Sequence, residues 1–145
     1  MDVPSAFSYD VFVSYAAADR WWVEGFLLPE LGVPPARTIT RDQFDLGAPT
    51  LTEFERAVTA SRHTIIVFSP AFLADEFATF AEVLTGHAAL VTQANRLLPL
   101  KLWPCTLPPR IAFREVADCT RQEQWQIETE RLRQVLQRPE PALQA

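Results

Sequence analysis

The sequence has few of the residues from which metal sites and disulfides are built. It contains two cysteines, Cys105 and Cys119, and two histidines, His63 and His87. The cysteines stand at neither metal-ligand nor redox spacing, and the histidines are too few to complete a zinc site. We therefore expect no metal, no bound cofactor and two reduced cysteines, which is the pattern of a cytoplasmic protein.

The sequence also lacks a basic excess and a long apolar run. Its net charge is -5, which argues against nonspecific nucleic-acid binding, although a local basic pocket for a phosphate-bearing small molecule stays open. No stretch approaches the ~20 apolar residues of a membrane span. The start of the chain is acidic at Asp2 and has no apolar run, so it does not resemble a signal peptide. Neither nucleic acid nor a membrane is expected as a partner.

Length and composition indicate one globular domain. The 145 residues are 48% hydrophobic and 21% charged, with no internal repeat and no low-complexity tract. We expect a leader at 1–8, a domain at 9–138 and a frayed tail at 139–145. The chain can also be a fragment of a longer multidomain protein.

Strand and helix patterns alternate along the chain. Two apolar runs, YDVFVSY at 9–15 and TIIVF at 64–68, are typical of strands buried in a parallel sheet. Thr50 or Thr52 is expected to cap the second helix, and Pro99 to place its strand at a sheet edge or beside a bulge. Further strands are predicted at 36–40, 97–103 and 112–118, and helices at 18–31, 51–61, 75–92 and 120–137.

This alternation predicts an α/β fold. We expect a flavodoxin-like three-layer sandwich, with a five-stranded parallel sheet and helices on both faces. Ligands of such sheets bind beyond the carboxyl ends of the strands, where the strand order reverses. Those ends lead into Ser14-Tyr15, Arg41-Asp42 and Ser69-Pro70, which we expect to converge on one cleft.

Three segments together resemble the TIR family, the Toll and interleukin-receptor-type domains, most closely those of bacteria. They are YDVFVSY at 9–15, the loop 41–49 with RD at its start and GAP at its end, and the stretch from ASR at 60–62 to SPAFL at 69–73. The loop 41–49 is similar to that family's BB loop. Each motif alone is weakly specific, but their order and spacing are specific, and the resemblance covers about 9–118.

The resemblance implies one of two functions. Some TIR domains cleave the nicotinamide–ribose bond of NAD⁺, releasing nicotinamide and linear or cyclic ADP-ribose, and many bacterial ones act in anti-phage defence with a fused sensor domain. Others are noncatalytic adaptors that assemble through TIR–TIR contacts. Our leading expectation is an NAD⁺-cleaving domain, with NAD⁺ as substrate and activation by self-assembly into oligomers or filaments. A noncatalytic interaction module is the alternative.

The expected cleavage chemistry needs one carboxylate and one aromatic ring. The nicotinamide of NAD⁺ is already cationic before it leaves, so no general acid is needed to protonate it. A single carboxylate can therefore stabilise the oxocarbenium-like sugar, while an aromatic ring stacks on the base. The family places a glutamate four residues after an aromatic residue on the third helix. In this sequence the aromatic position falls on Phe77 and the glutamate position on Ala81. Glu82 follows, but adjacent helix positions differ by about 100°.

Three explanations of Ala81 stay open. A helix irregularity can bring Glu82 into the cleft, Ala81 can be an engineered replacement of a catalytic glutamate, or the domain can be a natural non-enzyme. Glu82 can also be an ordinary solvated helix residue.

Other candidate site residues follow from the same resemblance. Ser14 and Tyr15 are expected to contact substrate, or else simply to end the first strand. Arg41 and Asp42 can contact phosphate or ribose, or form an ion pair that shapes the loop. Phe44, like Leu46, can pack against a neighbouring TIR domain, and core filling is the alternative for Phe44.

Several residues outside this set have structural interpretations. Asp19 is expected to cap the first helix, and Trp103 to lie in the core or along the cleft. Since Trp21 and Trp22 are consecutive, they cannot both face the core, and one should be exposed. A receiver domain of the same architecture is disfavoured because the first strand ends in Ser14-Tyr15 rather than in an acidic pair for magnesium.

Overall fold

The computed structural model describes residues 7–87, 93 and 96–139. Five parallel strands form one sheet in the order β2-β1-β3-β4-β5. The fold is therefore the predicted flavodoxin-like α/β sandwich. The strands are β1 (Tyr9–Ser14), β2 (Thr38–Ile39), β3 (Ser61–Phe68), β4 (Leu97–Lys101) and β5 (Ala117–Asp118).

Within the described residues, six helical elements lie between and after these strands. The first, α1, has three consecutive segments, Arg20–Trp22, the π-helical Val23–Leu27 and Leu28–Leu31. The others are α2 (Thr50–Ala60), α3 (Pro70–Asp75), α4 (Phe77–Gly86), α5 (Pro109–Ala112) and α6 (Trp125–Leu136). Short 3₁₀ turns lie at Ala17–Asp19, Pro35–Arg37, Arg41–Gln43 and Gln122–Gln124.

The sheet is buried on both faces, and its central strands are apolar at the consecutive positions 11–13 and 65–68. Val11, Val13 and Ile65 pack with side chains of α1 and α6, such as Trp22 and Leu132. Phe12, Ile66 and Phe68 of the same strands pack on the opposite face, against α2, α3 and α4. Successive residues of a strand point to opposite faces, so the runs at 9–15 and 64–68 fill two cores at once. This is the physical basis for predicting central parallel strands from them.

Pro99 lies inside the sheet, contrary to the expectation of an edge strand. It pairs with Ile66 of β3 within β4, which has β5 on its other side. The backbone of β4 bonds to β3 through Arg96 and Leu102, and to Cys119, the residue after β5, through Lys101. Because alternate residues of β4 bond to opposite neighbours, the backbone nitrogen of Pro99 faces β5. The ladder with β5 begins only at Leu100, so the missing N–H of Pro99 removes no ladder hydrogen bond.

The boundaries of several elements differ from those predicted. The second strand is only Thr38–Ile39, because Pro35–Arg37 forms a 3₁₀ turn before it. The fifth is only Ala117–Asp118, because α5 occupies 109–112, and the last helix begins at Trp125 after a further 3₁₀ turn.

The caps and breaks of the helices also differ in part. Neither Thr50 nor Thr52 caps α2, whose N-cap position is Pro49 and carries no side-chain cap. The first helix, α1, ends at Leu31 as predicted, with Pro29 in its last segment, and Gly32 follows it. Gly32 has φ +68°, a left-handed conformation that favours glycine and commonly ends helices.

The prediction for the tryptophan pair is confirmed. Trp22 is fully buried between the sheet and α6, whereas Trp21 is more than half exposed. The leader at 1–8 and the tail at 139–145 fall mostly outside the described residues, as does 88–92 of the predicted third helix, which α3 and α4 replace up to Gly86. No helix among the described residues has the length and apolarity to cross a membrane.

Phe54 is the central ring of the core between the sheet and α2. Its ring centroid lies 5.2 Å from that of Phe44, 6.0 Å from that of Phe12 and 6.4 Å from that of Phe80. Phe54→Ala should lower the free energy of unfolding by about 3–5 kcal/mol through lost burial and the cavity left behind. The matched control is Phe113→Ala, which removes an exposed ring and should change it by less than about 0.5 kcal/mol. Equal losses in urea denaturation would contradict this core.

Candidate functional site

The carboxyl ends of β1, β2 and β3 bring the predicted site segments together. Thr40 follows β2 and starts the loop 41–49, while Ser69 follows β3 and starts α3. The guanidinium of Arg41 forms an ion pair with Glu76, the residue before Phe77 at the start of α4. The loop therefore lies beside the first turn of α4, as the sequence-based model of the cleft requires.

Thr40 and Gln43 fix the first turn of the loop. The Thr40 N–H donates to Gln43 Oε1 at 2.8 Å, and the Thr40 hydroxyl accepts from the Asp42 N–H at 3.3 Å. This reciprocal arrangement is a capping box, which satisfies backbone donors at the start of a helical turn. The turn directs Arg41 and Asp42 toward different partners.

Asp42 is held by Arg20 of α1. Two guanidinium nitrogens of Arg20 donate to the two carboxylate oxygens of Asp42 at 2.8 and 2.9 Å. This hydrogen bonding holds the pKa of Asp42 below its usual value. Arg20 also bonds Glu24 at 2.8 Å and lies over the ring of Tyr15, 5.9 Å from its centroid. Of the two predicted roles of Asp42, the ion pair that shapes the loop is the one present in this structure.

Arg41 is held between the start of α4 and the core. Its guanidinium pairs with Glu76 and lies 5.8 Å from the ring centroid of Phe54. Burial raises the pKa of Glu76, and the charge of Arg41 opposes this shift. Glu76 was not among the sequence-based candidates. Its position directly before Phe77 was the only sequence signal for a role in the cleft.

The aromatic and apolar residues of the loop divide between the core and the surface. Phe44 packs against Phe12 and Phe54, with ring centroids 6.1 and 5.2 Å away. Leu46 is fully exposed. Core filling is therefore the role the structure gives Phe44, and Leu46 alone is available to a neighbouring molecule.

Ser14 and Tyr15 lie at the end of β1 and are both buried. Burial raises the pKa of the Tyr15 phenol, while Arg20 and a side-chain hydrogen bond with Thr40 oppose the shift. Tyr15 thus connects the end of β1 to the residue that starts the loop 41–49. Contact of either residue with a substrate stays a prediction.

Phe77 and Ala81 lie on one face of α4, and Glu82 lies on another. Phe77 and Ala81 line a groove of about 440 Å³ between α4 and residues 108–111. Glu82 is exposed and is not part of the groove wall. Since α4 is a regular helix through this turn, no irregularity brings Glu82 onto the face of Phe77. A catalytic role of Glu82 stays a prediction, without a position in the groove to support it.

Asp19 forms a buried polar cluster that the sequence did not indicate. It makes no cap hydrogen bond to α1 and is 2% exposed. Asp19 holds the expected N-cap position of α1, but its carboxylate accepts from Ser69 Oγ at 2.5 Å and from Trp103 Nε1 at 3.2 Å instead of capping the helix. The cluster joins the segments that follow β1, β3 and β4, and it explains why Trp103 lies partly at the surface and not in the core.

Among the described residues no group of three or more histidine, cysteine or acidic side chains is arranged to hold a metal ion. The two cysteines are unpaired with each other, and burial raises the pKa of the Cys119 thiol to about 12. The site is therefore built from ion pairs, aromatic rings and one buried carboxylate.

Comparison with known proteins supports the resemblance. A model of the TIR domain family matches residues 11–136, and no curated protein gives a significant match. The TIR domain of the Toll-related receptor TRR-2 from Hydra magnipapillata superposes with a TM-score of 0.70 at 22% identity, covering 90% of this chain and 99% of that one.

Two larger assemblies contain similar domains. A metazoan TIR-STING receptor from C. gigas matches with a TM-score of 0.65 and 20% identity, over 96% of this chain and 43% of that chain. The TIR domains of the activated Roq1 resistosome, which recognises the pathogen effector XopQ, match with a TM-score of 0.50 and 19% identity, over 88% of this chain and 84% of that one. At these identities the similarity shows a shared fold.

Removal of the Asp19 carboxylate should destabilise the domain. Asp19→Ala leaves the Ser69 hydroxyl and the Trp103 indole without their acceptor, which should cost about 1–3 kcal/mol of the free energy of unfolding. Asp45→Ala, at an exposed loop position, is the matched control. The account of the cluster fails if the two variants unfold at the same urea concentration.

The raised pKa of Glu76 predicts a pH-dependent effect on stability. The unfolded chain loses this proton at a lower pH than the folded chain, so the stability contributed by Glu76 is full below its unfolded pKa and is lost as pH rises through the folded pKa. From about pH 4 upward, Glu76→Gln should therefore gain stability relative to the unsubstituted chain. Urea denaturation at several pH values measures this difference, and a constant difference would contradict the burial of Glu76.

Proposed function

Because this chain belongs to the TIR family, we propose that it acts as a TIR–TIR interaction module, whose output is contact with further TIR domains. The observation that carries the proposal is the loop 41–49, which is fixed at its base and exposed at its tip. Arg20, Glu76 and Phe54 hold the base, while Leu46 is fully exposed.

A loop of this kind suits protein association. Its base is already ordered in the free domain, so binding costs less conformational entropy than the ordering of a flexible loop would. A leucine at a protruding tip gains burial only when another surface covers it. The loop is therefore better explained as an interface element than as part of the core.

The carboxylates of the cleft give less support to NAD⁺ cleavage. Ala81 occupies the position expected for the glutamate, and Glu82 is exposed on another face. The two acidic side chains that contact the base of the loop or belong to it, Glu76 and Asp42, are both paired with arginines. A carboxylate neutralised in this way is poorly placed to stabilise a developing oxocarbenium ion.

The similar structures support a signalling role within a longer protein. The TIR-STING receptor of C. gigas combines a TIR domain with a further domain in a chain of which this one covers 43%. The activated Roq1 resistosome carries TIR domains and recognises a pathogen effector. By analogy we propose a fused sensor domain and a role in defence, against phage if the protein is bacterial.

NAD⁺ cleavage is the second candidate, and one observation favours it. Arg41 pairs with Glu76, which directly precedes Phe77, so the loop 41–49 lies beside the start of the helix whose Phe77 and Ala81 line the groove. In this version a glutamate at 81 would act on the ribose while Phe77 stacks on nicotinamide, and assembly with a second TIR domain would complete the site.

Two measurements on the same concentrated samples separate the candidates. We expect no free nicotinamide above a protein-free control when the chain is incubated with NAD⁺, while sedimentation velocity shows species larger than the monomer that grow with concentration. If the chain releases nicotinamide and Glu82→Gln abolishes that release, the protein is an NAD⁺-cleaving enzyme, and the proposal of an interaction module without this activity is wrong. A chain that stays monomeric at every concentration would contradict the proposal. Nicotinamide release gained only on Ala81→Glu would show a cleft that retains its substrate contacts but lacks the carboxylate.

A further inference from the structure

A recess of about 550 Å³ lies between the end of α1 and the edge strand β2. Side chains of α1 and of the turn after it form its apolar wall: Leu28, Pro29, Val33, Pro34 and Pro35. Thr38, Thr40 and Gln43 add polar groups from β2 and from the start of the loop 41–49. The recess shares no lining residue with the groove beside α4. Its volume is typical of sites that bind small molecules.

The apolar wall of this recess is held in place by the chain itself. Gly32 ends α1 in the left-handed conformation, and its N–H bonds the Leu28 carbonyl at 3.3 Å. The ring of Pro34 restricts its own φ, and the Thr38 hydroxyl donates to the Pro34 carbonyl at 3.1 Å. Leu28 and Val33 are partly buried and pack against the core behind the recess. A wall that is already ordered lowers the entropy cost of binding a ligand.

Two carboxylates, Glu24 and Asp42, also line the recess, and one guanidinium serves both of them. Arg20 uses both of its terminal nitrogens for Asp42, and it uses one of the same two nitrogens for Glu24 Oε1. Glu24 Oε2 makes no hydrogen bond with the described part of the chain. One negative charge therefore stays uncompensated at this end of the recess, and it favours a cationic ligand over an anionic one.

The bonding of β2 disfavours an extended peptide as the occupant. The Thr38 N–H bonds the Pro35 carbonyl, and the Thr40 N–H bonds Gln43 Oε1 at 2.8 Å. A peptide that extends the sheet beyond its edge strand needs backbone donors of this kind to be free. An apolar recess with one uncompensated carboxylate at its rim suits instead a small molecule that has an apolar body and a single cationic group.

We propose that this recess binds a small amphiphilic cation, with its apolar body against Leu28 and Val33 and its ammonium or guanidinium group on Glu24. The site goes beyond the proposed association of TIR domains and does not depend on it. Asp42 and Gln43 belong to the first turn of the loop 41–49 and also line the recess. A bound ligand would therefore contact the base of the loop directly.

Three probes with the same apolar body and different head groups test the proposal: cyclohexylethylammonium, cyclohexylethanol and cyclohexylpropanoate. Each is titrated into isotope-labelled protein at low concentration while the amide resonances are followed by NMR. The amides of Val33, Thr38 and Gln43 should shift. The ammonium should bind about threefold to fivefold more tightly than the alcohol, as expected for one exposed charge pair, and at least about tenfold more tightly than the carboxylate. Equal affinities, no binding, or shifts centred elsewhere in the chain would overturn the inference.

Two variants separate the head group from the apolar body. Glu24→Gln should remove the preference for the ammonium over the alcohol and leave the affinity for the alcohol unchanged. The matched control is Glu30→Gln, on the same helix but outside the recess, which should keep the preference. Thr38→Phe should fill the recess and abolish binding of all three probes, and circular dichroism checks that each variant is folded. A preference that survives Glu24→Gln, or binding that survives Thr38→Phe, would show that the ligand does not bind as proposed.

Discussion

The ion pair between Arg41 and Glu76 determines where the loop 41–49 lies. It ties the segment after the edge strand β2 to the start of α4, across the carboxyl ends of the central strands. Besides this pair, the loop is held by Arg20, by the packing of Phe44 and by the bond from the Asp45 N–H to Glu53. The pair places the loop beside the start of α4 and engages the carboxylate next to Phe77 with a positive charge.

The same residues therefore support association and disfavour catalysis. Arginines engage Asp42 and Glu76, which stabilises the base of the loop and at the same time removes free negative charge from the cleft. Ala81 adds to this effect, since a methyl group in an apolar groove offers a surface for packing and no group for ribose chemistry.

Local patterns predicted the parts of the fold that depend on local chemistry. The runs at 9–15 and 64–68 are apolar at both faces, which only a covered central strand permits, and the consecutive tryptophans had to diverge because a helix turns by about 100° per residue. The convergence of the loop 41–49 on α4 followed from parallel strands ending at one edge. The fifth strand was predicted at 112–118 but is only Ala117–Asp118, since α5 ends at Ala112 and the chain becomes extended only after it.

Long-range polar contacts were not predictable in the same way. Asp19 looks like a helix cap in sequence, but its partners Ser69 and Trp103 are 50 and 84 residues away. Glu76 gains its role only through Arg41, which is 35 residues distant. In each case the residue type permits several local roles, and only the folded chain selects the partner.

Hydrogen–deuterium exchange across a concentration series tests the central claim most directly, namely that the loop is ordered at its base before assembly and becomes covered at its tip. The amides of Gln43 and Phe44, which bond within the first turn of the loop, should be protected at every concentration. The amides at 45–48 should gain protection as the protein assembles. Assembly without added protection at 45–48, or a loop base that exchanges freely in the monomer, would contradict the account.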